Sequence, residues 1–262
     1  MTGVKSPLIE MRNGVMWIIV NSPELRNALT ADVFYGMIEG IHQAEGNSEC
    51  RAIVFTGAGD DAFSAGANLR PGTKGSAFDV DPARPGHPGF HLFRALENCD
   101  LPTIARVNGD AIAGALALIA GCDLAVASSK ARFGSPEVRI GLFPINVIPY
   151  LMRSLGKKRL MEVCLTGDLL TADEALAAGL LNYVVPHEEL DAKVEWLLKR
   201  VITRSPSGIR VGKHAYHAMQ DMTLPQAFAH AEAVFPLLTM TEDTKEGIAA
   251  FNEKRKPVWK NR

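Results

Sequence analysis

The stretch Ala111–Cys122, AIAGALALIAGC, carries no charge and no side chain larger than leucine or isoleucine. A run of this kind has to be buried, and it is well short of the ~20 apolar residues needed to cross a bilayer. Thr103, Ile104, Ala105 and Val107 before it read as a buried strand, and Asn108-Gly109-Asp110 reads as a turn. The chain is therefore expected to pass from a core strand into a buried helix start. The first amides of a helix have no intrahelical partner and sit at the positive end of its dipole. Gly114 has no side chain to keep an outside atom away from its N–H. Two readings fit. A core helix uses small residues to let its neighbours close in; alternatively, a buried N–H aimed at an open site is what an oxyanion needs.

The 262 residues are enough for an ample core, and a net charge of −1 with 22% charged residues gives no general attraction for nucleic acid or membrane surfaces. The four cysteines (Cys50, Cys99, Cys122, Cys164) form no CxxC pair and read as reduced thiols rather than a disulfide frame or a zinc site. The first residues, MTGVKSPLIEM, have no apolar stretch of the secretory kind. The expected setting is cytoplasmic or another reducing compartment.

Leu8–Met11 and Val15–Val20 flank Arg12-Asn13-Gly14 and read as a β-hairpin. Thr30 is placed to cap a helix whose Val33, Phe34, Met37, Ile38 and Ile41 share one face. Arg26, in the loop before it, is either a solvated side chain or a phosphate contact. Ala52–Thr56 reads as a buried strand. The following GAGDDA has dinucleotide-binding spacing, with Asp79 about 20 residues on. That fold requires a helix opening at the third position, whereas FSAGANLRPG breaks at Pro71-Gly72. Ser64 falls short of a nucleophile elbow, because Ala62 replaces its first glycine and no strand is expected to lead into it. What is left is Phe63–Leu69, a compact turn where small side chains again bare backbone amides beside a strand. Arg70–Gly89 holds four prolines and four glycines and reads as a long loop, expected to be mobile until ligand binds. His87 and His91 flank Pro88 without a carboxylate in register, so no metal site is expected. Phe90–Asn98 reads as a helix.

Asp123–Ser128 and Ala131–Phe133 read as short strands, followed by the turn Ser135-Pro136-Glu137. Glu137 lies between apolar segments, where a carboxyl's pKa rises toward the range useful for moving protons on carbon. A helix cap or a pair with Arg139 is the structural alternative. Ile145–Leu155 and Lys157–Leu165 read as helices, Thr171–Glu174 as a capping box, and Asn182–Val185 as a strand. From about Leu190 only helices are expected: Asp191–Ser205, Pro206–Met222, Pro225–Leu238 and Thr241–Lys254. His214 and His217 are expected on a solvated face. Phe251 and Trp259 flank the basic end, a pattern suited to docking on another surface.

Taken together, ELRNAL, AIVFTGAGDDAFSAGANL, RVNGDAIAGALALIAGCDLAVAS, ARFGSPEVRIGLFP, LTGDLLTADEALAAGLLNYVV and EGIAAFNEKRKP resemble the crotonase superfamily, also called the enoyl-CoA hydratase/isomerase family. The resemblance implies an α/β fold, a crotonase-like spiral of ββα repeats with a helical C-terminal region. The spiral, over residues 1–195, would hold a CoA-thioester site, and the helices, over 196–262, would assemble a homotrimer or a hexamer made of two trimers. It implies an acyl-CoA thioester as substrate, coenzyme A being part of that substrate, with no metal or redox cofactor. Mapped by motif, the amides of Ala67 and Gly114 hold the thioester oxygen as it becomes an enolate. Arg26 approaches the coenzyme phosphates, Ala65 the adenine through its carbonyl, and Phe251 and Lys254 the nucleotide end, from this or a neighbouring subunit.

One position departs from the pattern. Two-glutamate hydratases of this family carry one glutamate just after the glycine helix start and a second further on. The second stands here as Glu137, but the first falls on Ala117; Asn68 stands where aspartate is common. Adding water to a 2-enoyl thioester uses two groups, whereas one glutamate suits carrying a proton between C2 and C4, as in a Δ3,Δ2-enoyl-CoA isomerase. Decarboxylation, hydrolysis and acyl-CoA binding without turnover are further alternatives. The expected site is thus Glu137 as general acid/base, Ala67 and Gly114 as oxyanion donors, and Asn68, Ala117 and Asn146 in the substrate pocket. Ile145, Val147 and Tyr150 are expected near the acyl end.

Overall fold

The computed structural model describes residues 4–69 and 86–262. The expected Arg70–Gly89 loop, apart from Gly86–Gly89, lies outside the described residues. β1 (Leu8–Arg12) and β2 (Val15–Val20) form the expected antiparallel hairpin. α1 (Ala31–Glu45) starts at Thr30, whose hydroxyl oxygen accepts the Val33 amide, and it buries Val33, Phe34, Met37 and Ile41.

The chain then repeats one unit: a longer strand in one sheet, a short strand in a second, then helix. β3 (Ala52–Gly57), β4 (Ala62–Ser64) and α2 (Pro88–Glu97) make the first turn. β5 (Thr103–Val107), β6 (Asp110–Ile112) and α3 (Gly114–Gly121) make the second. β7 (Leu124–Ser128), β8 (Arg132–Gly134), α4 (Ile148–Ser154) and α5 (Lys157–Thr166) make the third. β9 (Leu170–Thr171), α6 (Ala172–Ala177) and β10 (Tyr183–Val185) close the spiral. The capping box of Thr171 and Glu174 opens α6 as expected. α7 (Leu190–Val201), α8 (Pro206–Met219), α9 (Leu224–Thr239) and α10 (Glu242–Asn252) follow. The division expected after residue 195 falls inside α7.

The larger sheet has the order β1-β2-β3-β5-β7-β10 and is parallel beyond the hairpin. Parallel strands covered on both faces read as continuous apolar runs, and β3 is buried along its whole length. Leu190, Val194, Leu197 and Leu198 of α7 cover one face over Val15, Val54, Ile104 and Val126. The other face joins the main core with α1 and α3. Apolar all round, α3 lies buried from Ala115 to Ile119.

The smaller sheet, β4-β6-β8-β9, differs from expectation. A strand, β4, does lead into the Ser64 turn, and Asp110–Ile112 is a strand rather than turn and helix. Three-residue strands are too short to leave a period of two in a sequence; their partners define them. Asn108, expected in a turn, is fully buried. Its Oδ1 accepts the Gly57 amide at 3.2 Å, and its Nδ2 donates to Gly59 O at 2.6 Å and Ala62 O at 3.2 Å. That side chain ties the crossing between the two sheets. His217 is half-buried, and burial pushes its imidazole pKa down, whereas His214 pairs with Asp100 at 2.6 Å. Trp259 docks on its own chain, donating to Thr203 O at 2.8 Å, while Phe251 stays 84% exposed.

Candidate active site

Because β4, β6 and β8 run parallel, pairing Ser64 with Ala111 and Ile112 with Gly134, the segments leaving their C-terminal ends lie side by side. Those segments are Ala65-Gly66-Ala67, Ala113-Gly114 and Ser135-Pro136-Glu137. The Ala113 amide donates to Gly134 O at 2.8 Å, fastening the second to the third. Gly66 joins the first to the second. It has φ +82°, and a Cβ there would lie 2.8 Å from both Ala113 Cβ and the carbonyl oxygen of Ile112. Only glycine permits so close an approach at that dihedral. Ala113 itself has φ +55° and ψ −120°, a strained backbone for a residue with a Cβ, immediately before the first residue of α3.

Among the described residues, two amides of these segments stand outside the bonding just given. Gly114 opens α3, so its N–H has no intrahelical partner. Ala67 bridges Leu29, but the hydrogen bonds of that bridge run through Gly66 O and the Asn68 amide, leaving the Ala67 N–H outside the ladder.

Glu137 lies in the 3₁₀ turn Pro136–Ile140. Its Oε2 is buried without a hydrogen-bond partner. Burial raises the carboxyl's pKa; its own backbone amide and the Ser135 hydroxyl pull the other way. Arg139, the alternative partner, is engaged by Asp168 at 2.7 Å. Oε2 therefore stands without a partner beside a largely apolar wall, the setting of a group that exchanges protons with carbon.

A cavity of about 570 Å³ opens against these segments, bringing together Ala65, Ala67, Gly114, Glu137, Ile145 and Asn146. Its remaining wall includes Phe34, His87, Phe90, Leu142 and Phe143, which sequence reasoning missed. Phe34 projects from the buried face of α1, where the periodicity of a core residue and of a cavity residue is the same. His87 caps α2 through Nδ1, which accepts the Gly89 amide at 3.0 Å, and its ring lies edge-on to Phe34 and Phe90.

Other expected residues stand elsewhere. Ala117 is fully buried in the core, where a methyl does not reach the cavity. Asn68 is buried and is not among the described residues that line the cavity; its backbone N–H donates to Leu29 O. Val147 belongs to the core, and Tyr150 is turned away, donating to Phe93 O at 2.7 Å. Arg26 borders the site: its carbonyl accepts the Ala65 amide at 2.8 Å, while its guanidinium pairs with Asp110 at 2.9 Å. Phe251 and Lys254, at the end of α10, are not part of the cavity wall of the single chain. Among the described residues no three metal-binding side chains cluster, and no helix is long and apolar enough to cross a membrane.

Two sheets wound from repeated strand–strand–helix turns, with bared amides and a buried carboxyl at three strand ends, define a crotonase-type fold. The chain belongs to the enoyl-CoA hydratase/isomerase family, whose family model matches residues 10–262. It is 34% identical over 254 residues, 97% of this chain and 87% of the other, to the mitochondrial enoyl-CoA hydratase domain-containing protein 3 of Danio rerio. It is 33% identical over 250 residues, 95% of each chain, to the short-chain-enoyl-CoA hydratase of Clostridium acetobutylicum. Among solved structures, human enoyl Coenzyme A hydratase domain-containing protein 3 superposes with a TM-score of 0.88 at 29% identity, covering 97% of this chain and 100% of that one. An enoyl-CoA hydratase subunit of Geobacillus kaustophilus gives 0.87 at 33% identity over the full length of both chains.

Proposed function

We propose that this protein is an enzyme of acyl-CoA thioesters that works through an enolate, with one carboxyl moving the proton. The thioester carbonyl oxygen sits where the Ala67 and Gly114 amides point. As the α- or γ-proton leaves, charge builds on that oxygen, and two preorganised donors stabilise it by several kcal/mol, roughly 3 per donor. Glu137 takes the proton and returns it to carbon. Acid/base chemistry of this kind requires neither a metal nor a redox cofactor.

The observation that carries the reading is the buried, partnerless Oε2 of Glu137 on the same cavity as the two amides. Glu137 is the one carboxylate among the described residues of the wall, and the position three past Gly114 is a buried alanine. A single proton carrier favours moving an enoyl double bond between the 2,3 and 3,4 positions. The names of relatives favour a second reading, hydration of a short 2-enoyl thioester: a short-chain-enoyl-CoA hydratase and a crotonyl-CoA hydratase are both similar to this chain. The coenzyme is expected along the Ala65 carbonyl and Arg26, with Phe251 and Lys254 reaching its nucleotide end from a neighbouring copy. The exposed apolar residues of the last helices, Phe228, Phe235 and Phe251 among them, support assembly as a homotrimer or a pair of trimers.

The test is product mass and double-bond position after incubation with 2-enoyl- and 3-enoyl-CoA esters. Unchanged mass with a moved double bond supports the isomerase; gain of one water from the 2-enoyl ester supports the hydratase. Tight binding with neither change refutes both.

A further inference from the structure

Among the described residues, two buried side-chain polar atoms have no hydrogen-bond partner: Ser135 Oγ and Glu137 Oε2. Buried orphans are rare in folded proteins, and each calls for an explanation. Here the two lie one residue apart in a single turn, with Pro136 between them contributing no N–H. Ser135 is fully buried, held in the corner where β8 ends.

We propose that Ser135 is a positioning residue for Glu137, its hydroxyl serving Oε2 as donor when the carboxyl is ionised and as acceptor when it is protonated. The proposal rests on the reading of Glu137 as proton carrier. A carboxyl that shuttles a proton changes from acceptor to donor within each turnover. A hydroxyl follows that change by rotating its O–H; an amide N–H or an ammonium group cannot. The hydroxyl is near enough to oppose the effect of burial on the carboxyl, yet short of a formed hydrogen bond.

Among the described residues, the surroundings leave this task to Ser135. On the same 3₁₀ turn, Arg139 is engaged by Asp168 at 2.7 Å. From α5, burial and then the charge of Glu137 push the Cys164 thiol up, so it stays neutral and brings no charge to the carboxyl. From the start of α2, His87 lines the cavity with its Nδ1 occupied as a helix cap.

The experiment is a pH titration of the full chain carrying ¹³C-carboxyl glutamate, with Glu137→Gln assigning the resonance, run beside the pH profile of kcat/KM. In Ser135→Ala the Glu137 midpoint is expected to rise by about one pH unit, a tenfold gain in proton affinity. The acid limb of kcat/KM moves up with it. Ser135→Cys, whose S–H is a weak donor, is expected between the two and carries the same test if the alanine variant folds poorly. An orphan hydroxyl with a purely structural role predicts unchanged titration, with a thermal midpoint that is equal or higher. An unmoved midpoint in both variants overturns the proposal, even when wild type turns over and Glu137→Gln does not. A raised midpoint in a protein inactive on both esters leaves Ser135 in its role and refutes the proposed reaction instead.

Discussion

Gly66→Ala tests the idea that the two amides are held together by one close backbone approach. The new Cβ meets the Ile112 carbonyl oxygen and Ala113 Cβ, each at 2.8 Å, and the residue keeps φ +82°. The left-handed backbone costs about 1–2 kcal/mol with a Cβ present, and overpacking adds about 1–3 kcal/mol. The sum is about 2–5 kcal/mol. Gly141→Ala is the control, because Gly141 has φ +79° with nothing within 4 Å of the added Cβ. Its expected loss is only the first contribution, about 1–2 kcal/mol. Urea unfolding of the two variants beside wild type therefore isolates the clash. The functional consequence follows from the same contact. The clash is relieved when the segment holding Ala67 moves off the segment holding Gly114, which separates the oxyanion donors. Losing one such donor lowers kcat by about 10²–10³-fold, with KM changed much less. Gly66→Ala matching Gly141→Ala in both stability and kcat would refute the reasoning.

Two further predictions concern the same corner. Glu137→Gln is expected to abolish turnover on any enoyl-CoA ester while leaving CoA-ester binding nearly intact. It should also stabilise the fold at neutral pH. With its folded pKa raised by burial, the carboxyl contributes stability in full below the ordinary carboxylate pKa and loses it as pH rises through the folded value. Urea midpoints of variant and wild type should converge near pH 4 and separate toward pH 7; a less stable variant at pH 7 contradicts the assignment. Ala113→Gly removes strain at φ +55° and is expected to raise stability by up to about 1 kcal/mol, the loss of chain entropy at glycine offsetting part of the relief. Ala113→Val, with a β-branched side chain at positive φ, should fall below wild type, and thermal midpoints in the order Val above Ala above Gly would exclude strain at this position.

Much of this protein was legible in the sequence, and physics says which part. The hairpin, α1 with its Thr30 cap, the capping box at Thr171 and the buried Ala-rich helix depend on local spacing and on chemistry that neighbours in the chain provide. The small-residue stretches at Phe63–Leu69 and around Gly114 were legible too, but it is the family motif that singles out the amides of Ala67 and Gly114 within them. The apolar setting of Glu137 was legible as well. The tertiary structure alone decided how these pieces meet. The short strands β4 and β6 exist through their pairing partners, so no period marks them. The burial of Asn108 and the strained backbone of Ala113 arise where two chain segments cross, and neither leaves a mark in composition. Phe34 and Phe90, far apart in the chain, meet on one cavity wall, because a helix face turned to the core and one turned to a substrate bury the same kinds of side chain. Ala117 and Asn68 show the converse: motif position put them beside the chemistry, yet both are buried and neither is among the described residues that line the cavity.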